Sequence, residues 1–286
     1  MIPPYINELK LRKIIRDAIH EDLGDGDHST LSVIPAHQQG KAVLVAKENG
    51  IIAGLYVAES IFKELNSQLQ IQFFKHDSDP VKQGDNIFEI SGKVRDILSA
   101  ERIVLNVIQR MSGIATATHR LVKEIRPYKT QLLDTRKTTP NLRILEKWAV
   151  KLGGGENHRM GLYDMIMLKD NHIDFVGGIK PAINAVKKYL AKSHKSFKIE
   201  IETRNLEEVN EVIETGGIET IMLDNMSIED IKSAVRMIQG KYKTEASGNI
   251  TEKNIKKVAA CGVDYISVGA ITHSVKSLDM SLIMKI

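Results

Sequence analysis

Lys198-Ile199-Glu200-Ile201-Glu202, a helical pattern over 206–215 and Thr220-Ile221-Met222-Leu223 make one strand–helix–strand unit, and its reading decides the fold. The same beat continues on both sides. Gln131-Leu132-Leu133-Asp134, Met165-Ile166-Met167-Leu168, Lys243-Thr244-Glu245-Ala246 and Tyr265-Ile266-Ser267-Val268 read as further strands. Helical patterns near 142–152, 178–192, 228–239 and 252–260 separate them. Such units in series imply a parallel sheet, because parallel strands need long crossovers. Many short strands with polar residues at their C-terminal ends favour a closed α/β barrel over an open doubly wound sheet. No Gly-x-Gly-x-x-Gly follows any of these strands, which counts against a dinucleotide-binding fold.

The first 110 residues lack that beat. Leu9, Ile14, Ile15, Ala18 and Ile19 form a helical stripe that ends at the turn Asp22-Leu23-Gly24-Asp25-Gly26-Asp27. Ala42–Ala46 and Ile51–Ala53 read as strands joined by a hairpin at Asn49-Gly50. A helix is expected over Tyr56–Leu65, then a structural hairpin with arms at Ile71–Phe74 and Asn86–Ile90. Ala100–Arg126 reads as a long helix softened at Ser112-Gly113.

The 286 residues are 42% hydrophobic and 27% charged, which fits a folded globular chain with a sizeable core. Lys plus Arg number 40 against 36 Asp plus Glu, too small an excess to predict a nucleic-acid or membrane partner. Cys261 is the single cysteine, so an internal disulfide is excluded and a reducing compartment is expected. No apolar signal core opens the sequence and no apolar run reaches membrane-spanning length. A cytoplasmic protein is the expectation.

The barrel strands carry their chemistry at their ends. In order come Asp134-Thr135-Arg136-Lys137, then His158-Arg159 after a glycine run, Leu168-Lys169, Glu200-Ile201-Glu202, Leu223-Asp224-Asn225, Ser247-Gly248-Asn249 and Val268-Gly269-Ala270. In α/β barrels such ends converge on one mouth. That mouth would gather Arg136, Lys137, Arg159 and Lys169 as cations and Glu202 and Asp224 as anions. Gathered cations repel unless they meet anions, and arginine forks match carboxylate or phosphate, so a ligand with several acidic groups is expected. Small residues ending the last two strands, at Gly248 and Gly269, suit a phosphate held by backbone N–H groups. Two carboxylates nearby could bind sugar hydroxyls, hold Mg²⁺ or stabilise a cationic transition state. Together these predict transfer between a polyacidic small molecule and a phosphorylated sugar.

The ordered motifs give a resemblance. Ser99-Ala100-Glu101-Arg102, Met111-Ser112-Gly113-Ile114-Ala115-Thr116, Asp134-Thr135-Arg136-Lys137-Thr138-Thr139-Pro140, Gly154-Gly155 with His158-Arg159 and Lys169-Asp170-Asn171-His172 stand in sequence. Glu200-Ile201-Glu202, Leu223-Asp224-Asn225, Glu245-Ala246-Ser247-Gly248-Asn249-Ile250 and Ser267-Val268-Gly269 continue the series. From about Asp22 to Leu282 the chain resembles the quinolinate phosphoribosyltransferase family, with Asn249 where many relatives have glycine.

The resemblance implies a six- or seven-stranded α/β barrel over 113–286, preceded by an N-terminal α/β sandwich over 1–112 on which the C-terminal tail packs back. It implies that quinolinate and phosphoribosyl pyrophosphate give nicotinate mononucleotide, pyrophosphate and CO₂, a step of de novo NAD biosynthesis. Lys137, Lys169, Glu202 and Asp224 would be the catalytic residues. Arg136, Lys137, Arg159 and Lys169 would bind the substrate carboxylates and phosphates, with Thr135 and His158 beside them. Glu202 and Asp224 would face the ribosyl donor and its Mg²⁺-pyrophosphate, while Ser247, Gly248, Asn249, Val268, Gly269 and Ala270 would hold the 5′-phosphate. Arg102 would reach quinolinate in the neighbouring subunit's site, which implies a homodimer or a larger assembly.

Blander readings apply elsewhere. His172, His119 and His28 read as hydrogen-bonded structural histidines, and the Asp22-Asp25-Asp27 turn lacks the later glutamate of an EF-hand. Met165, Met167 and Met222 read as core, Cys261 as inert, and Glu200 as supporting or structural. The rival functions are a related phosphoribosyltransferase of different acceptor specificity, an aldolase-like barrel forming a Schiff base on Lys169, and a module that senses a phosphosugar.

Overall fold

The computed structural model describes residues 3–285. Its strands, in chain order, are β1 Gln39–Ala46, β2 Gly50–Ile51, β3 Gln70–Phe73, β4 Pro80–Val81, β5 Asn86–Lys93, β6 Gln131–Leu133, β7 Ile166–Leu168, β8 Ile199–Thr203, β9 Thr220–Asp224, β10 Lys243–Ser247, β11 Tyr265–Ser267 and β12 Met280–Lys285. They fall into two compact units. One comprises residues up to 119, 138–154 and 270 onward; the other comprises 120–137 and 155–269.

The first unit is built on an antiparallel sheet in the order β12-β1-β5-β3. The C-terminal strand β12 pairs with β1 from Lys41↔Lys285 to Ala46↔Met280. Leu44, Ala46, Phe88 and Ile90 are fully buried, and Phe88 packs edge-on against Phe62 of helix Leu55–Leu65. The expected β3–β5 hairpin pairs as read, with Ile71 opposite Ile90.

Two turn signals mislead. Asn49-Gly50 does not close a hairpin: β1 pairs with β5 and β12, whereas β2 pairs with β4. Gly50 is needed for closeness instead, since a Cβ there would lie 2.7 Å from both Leu278 and Thr116. Nor does Ser112-Gly113 interrupt its helix, which runs unbroken over Val94–Ile125. Ser112 Oγ accepts from the Ala53 N–H at 3.0 Å, and a Cβ on Gly113 would sit 2.3 Å from the Lys276 carbonyl oxygen. Both residues are small so that neighbouring backbone can reach the helix. Gly113→Ala is therefore expected to destabilise the protein by about 1–3 kcal/mol, the usual cost of overpacking, measured as a lowered Tm.

The second unit carries the parallel sheet in the order β6-β11-β10-β9-β8-β7. Intervening helices include Ile179–Ser193, Leu206–Thr215 and Ile228–Ile238, and the helix starting at Leu206 is capped by the Asn205 side chain accepting from the Glu208 N–H. Ile201, Ile221, Leu223, Ala246 and Ile266 form one apolar, buried face of the sheet. Glu200, Glu202, Met222, Asp224, Glu245 and Ser247 alternate with them onto the other face. Glu200 of β8 and Glu245 of β10 reach one imidazole across the intervening β9, so that second face is concave. This is a barrel-type α/β fold.

The ladder is not closed strand to strand. Among the described residues β6 and β7 end it unpaired with each other. Beside β6 runs a single parallel bridge, Leu133↔Glu156, in which the Glu156 N–H donates to Leu132 at 2.8 Å and the Asp134 N–H to Glu156 at 3.1 Å. A strand-like stitch thus takes the place of a seventh strand. Helix Asp170–Val176 also went unread in the sequence; the His172 ring reaches back to its start, accepting the Lys169 N–H at 3.0 Å.

Candidate active site

Parallel strands end at one edge of their sheet, and the second unit collects its polar groups there. Lys169 follows β7, Glu202 lies in β8, Asp224 ends β9, Ser247-Gly248-Asn249 leaves β10 and Val268-Gly269 leaves β11. Thr135, Arg136 and Lys137 follow β6, while His158 and Arg159 follow the Glu156 stitch. Ala270 opens the short helix Ala270–His273, and Arg102 lies on the helix Val94–Ile125; both belong to the other unit.

Lys169 Nζ donates to Glu202 Oε1, and the Asp170 N–H donates to Glu202 Oε2 at 3.2 Å. Glu202 is nearly buried whereas the Lys169 side chain is about half exposed. Arg159 donates to the Met165 carbonyl at 3.2 Å. Burial, and then the charge of nearby Arg136, hold its guanidinium below the usual arginine range, while Glu200, Asp164 and Glu202 pull the other way. Arg136 and Arg159 are thus close enough to feel each other's charge.

Asp224 Oδ2 accepts from Asn225 Nδ2 at 2.8 Å, and Asn225 Oδ1 in turn accepts from Asn249 Nδ2 at 3.0 Å. Asn225 and Asn249 both adopt positive φ, at 54° and 50°, and Gly248 has φ 90°. Glycine takes such backbone freely and asparagine at small cost, which lets the turns after β9 and β10 bring Asn225 and Asn249 together. Asp224 has no cationic partner among the described residues. Carboxylate oxygens of this kind suit Mg²⁺, which demands hard oxygen ligands.

Below the rim, His158 Nε2 lies 3.0 Å from Glu200 Oε2 and 3.3 Å from Glu245 Oε2. These three could also hold a metal ion by spacing alone, although an imidazole is a poor match for magnesium. Burial, then the charge of Glu245, push the Glu200 carboxyl up to about 7, and a hydrogen bond between the two carboxyls adds to the rise. Burial opposes an imidazolium at His158, yet the two carboxylates outweigh it and would lift the ring to about 10. Against that, the Arg159 N–H donates to His158 Nδ1 at 2.7 Å and needs a lone pair there. We assign the Nε2–H tautomer to the ring, beside the raised Glu200 carboxyl.

Three contributors were not singled out from sequence. Asp134, fully buried, accepts from the His158 N–H at 2.9 Å and from Asn157 Nδ2 at 2.6 Å. Glu245 and Asn225 stand within motifs whose neighbours drew attention first. Period-two alternation would have placed Glu245 on the same face as Ser247; nothing local marks Asn225.

The description "Quinolinate phosphoribosyl transferase, C-terminal domain" matches residues 114–283, and its N-terminal counterpart matches 27–112. The chain belongs to the quinolinate phosphoribosyltransferase family. It is 44% identical to a nicotinate-nucleotide pyrophosphorylase (carboxylating), chloroplastic, of Oryza sativa subsp. japonica, over 98% of this chain and 79% of that one. A probable nicotinate-nucleotide pyrophosphorylase (carboxylating) of Bacillus subtilis is 42% identical, over 97% of this chain and 94% of its own length. Among solved structures, the nicotinate-nucleotide pyrophosphorylase of Francisella tularensis superposes with a TM-score of 0.90 at 40% identity, covering 98% of each chain. The quinolinate phosphoribosyltransferase fold is thus the frame for the strand-end cluster described above.

Proposed function

We propose that this chain transfers the phosphoribosyl group of phosphoribosyl pyrophosphate to quinolinate with decarboxylation, the step that supplies nicotinate mononucleotide to de novo NAD biosynthesis. The observation that carries the reading is the partly desolvated Arg159 beside Arg136, on the same strand-end edge as Lys169, Glu202 and Asp224. In the reaction the pyridine nitrogen of quinolinate bonds to the anomeric carbon while the bond to pyrophosphate breaks. The ring 2-carboxylate then leaves as CO₂, its electron pair stabilised by the positive ring nitrogen, and that carbon takes up a proton.

Arg136, Lys137, Arg159 and Lys169 grip the two carboxylates and the phosphates, with Thr135 and His158 supporting them. Glu202 and Asp224 face the cationic ribosyl transition state, where fixed negative charge lowers the barrier. Glu202 and Asp224 would help to hold a Mg²⁺ that arrives mainly with the pyrophosphate, and its charge would ease departure of the leaving group. Ser247, Gly248, Asn249, Val268, Gly269 and Ala270 cradle the 5′-phosphate. The working form is a homodimer in which Arg102 of one protomer completes the site of the other, acting in the cytoplasm. Among the described residues no helix is long and apolar enough to cross a membrane.

A Schiff-base aldolase fits less well, because Lys169 Nζ is engaged by Glu202 rather than left free as a nucleophile. The deciding assay supplies quinolinate, the ribosyl donor and Mg²⁺ and follows pyrophosphate and CO₂ together. Equal release of both is expected; neither appearing from folded protein would end this reading. Phthalate, a dicarboxylate without the ring nitrogen, is expected to compete with quinolinate and not react, and an unchanged quinolinate KM in its presence would contradict a two-carboxylate pocket.

A further inference from the structure

We infer that Glu200 and Glu245 are positioning residues, which act together through the His158 ring to fix Arg159. Neither glutamate reaches the strand-end rim: both are at least 98% buried, with 2% and 1% of their surface exposed. Two carboxyl groups this deep in a sheet are costly unless they hold something. What they hold is one imidazole, gripped at Nε2 from two strands that are not neighbours.

The grip passes outward through the same ring. Nδ1 accepts the Arg159 N–H at 2.7 Å, so the tilt of the imidazole sets the direction in which the Arg159 backbone leaves. Asp134 fixes the other side of the segment, taking the His158 N–H at 2.9 Å and the Asn157 amide at 2.6 Å. Residues 157–159 are thus held from the end of β6, from β8 and from β10 at once, while among the described residues the Arg159 side chain has hydrogen bonds only to the Met165 carbonyl at 3.2 Å and to Met167 Sδ at 3.5 Å. A long side chain with weak ties of its own is oriented by its backbone. Both ring nitrogens of His158 face protein, so in this arrangement the histidine serves Arg159 rather than binding substrate through nitrogen.

The inference rests on Arg159 being a ligand for quinolinate carboxylate, and its test separates the two claims. Glu245→Met keeps the volume but removes one of the two acceptors that grip Nε2–H, leaving the ring held by Glu200 alone. It is expected to raise the KM for quinolinate about tenfold, with kcat within about twofold and the KM for the ribosyl donor unchanged. Glu245→Gln, whose amide oxygen still accepts from Nε2–H, is expected to keep most of the native KM. In an Arg159→Ala background, Glu245→Met is expected to add nothing. Losses that simply add, or a fall in kcat with both KM values unmoved, would overturn the inference.

A second measurement needs neither activity nor a folded Glu245→Met variant. In ¹⁵N-histidine-labelled native protein, with His158 assigned by its loss in His158→Gln, Nε2 is expected to carry the proton and Nδ1 the lone pair. A ring protonated on Nδ1 would overturn the linkage to Arg159. Native protein that shows this tautomer but no turnover of quinolinate would reject the proposed function and leave the clamp standing.

Discussion

Lys169→Ala is expected to lower kcat/KM for quinolinate by about tenfold to a hundredfold, the worth of one charged hydrogen bond to an anionic substrate at about 1.5–3 kcal/mol. The loss has two parts. The substrate loses an ammonium placed at the end of β7, and Glu202 loses the cation that pairs with it. Glu202 would keep only the Asp170 N–H at 3.2 Å, poor compensation for a carboxylate that is 7% exposed. Glu202 would then be drawn away from its place in the site, unsuited to a developing ribosyl cation. Steady-state kinetics in quinolinate at saturating donor measure the effect, and near-normal turnover would remove Lys169 from the site. The same variant tests the shared site. Mixed in equal amounts with Arg102→Ala chains, it forms hybrid dimers in which one site receives both native residues. Random pairing should restore about a quarter of the native sites. No recovery from demonstrably mixed dimers would remove Arg102 from the partner's site.

Gly248→Ala is expected to cost about a hundredfold in kcat/KM, with a raised KM for the ribosyl donor. The position excludes a side chain twice over. Its φ of 90° is a conformation that L-residues avoid, and a Cβ would lie 2.1 Å from Asn225 Oδ1. Relief requires Asn225 to move, and Asn225 is the link between Asp224 and Asn249. One methyl group would therefore disturb both the proposed phosphate loop and the proposed ribosyl-facing carboxylate. Asn225→Ala in the Gly248→Ala background separates clash from strain. Recovery of donor KM is expected if the clash dominates, and none if the backbone conformation does.

Period and spacing made much of this legible. The helix at Leu206–Thr215 and the strands around Glu200 and Thr220 sit where their patterns placed them, because alternation on a sheet and amphipathicity on a helix are local properties. Arg136, Arg159, Lys169, Glu202 and Asp224 could be named because each stands at a strand end, and family motifs surround them. Glu245 was harder: its meaning depends on Glu200 and His158 meeting it across another strand, a contact that no local window contains. Ser112-Gly113 and Asn49-Gly50 misled for the opposite reason. Small residues signal turns in isolation, yet here they let Ala53, Lys276 and Leu278 pack against them. Helix Asp170–Val176 escaped notice since its N-cap residue is Lys169, outside the usual Ser, Thr, Asp and Asn vocabulary, and the ring that reaches back to it belongs to His172 within the helix.

The stitch at Glu156 has a mechanical consequence. Elsewhere the sheet is sewn by continuous ladders, so parting any two neighbours there breaks several hydrogen bonds together. Beside β6 the bridge contributes two backbone bonds among the described residues, and the chain runs from it straight into His158 and Arg159. The arginine-bearing segment thus leaves the sheet at a short bridge rather than a full ladder, and the buried acids behind it take over the holding of its backbone.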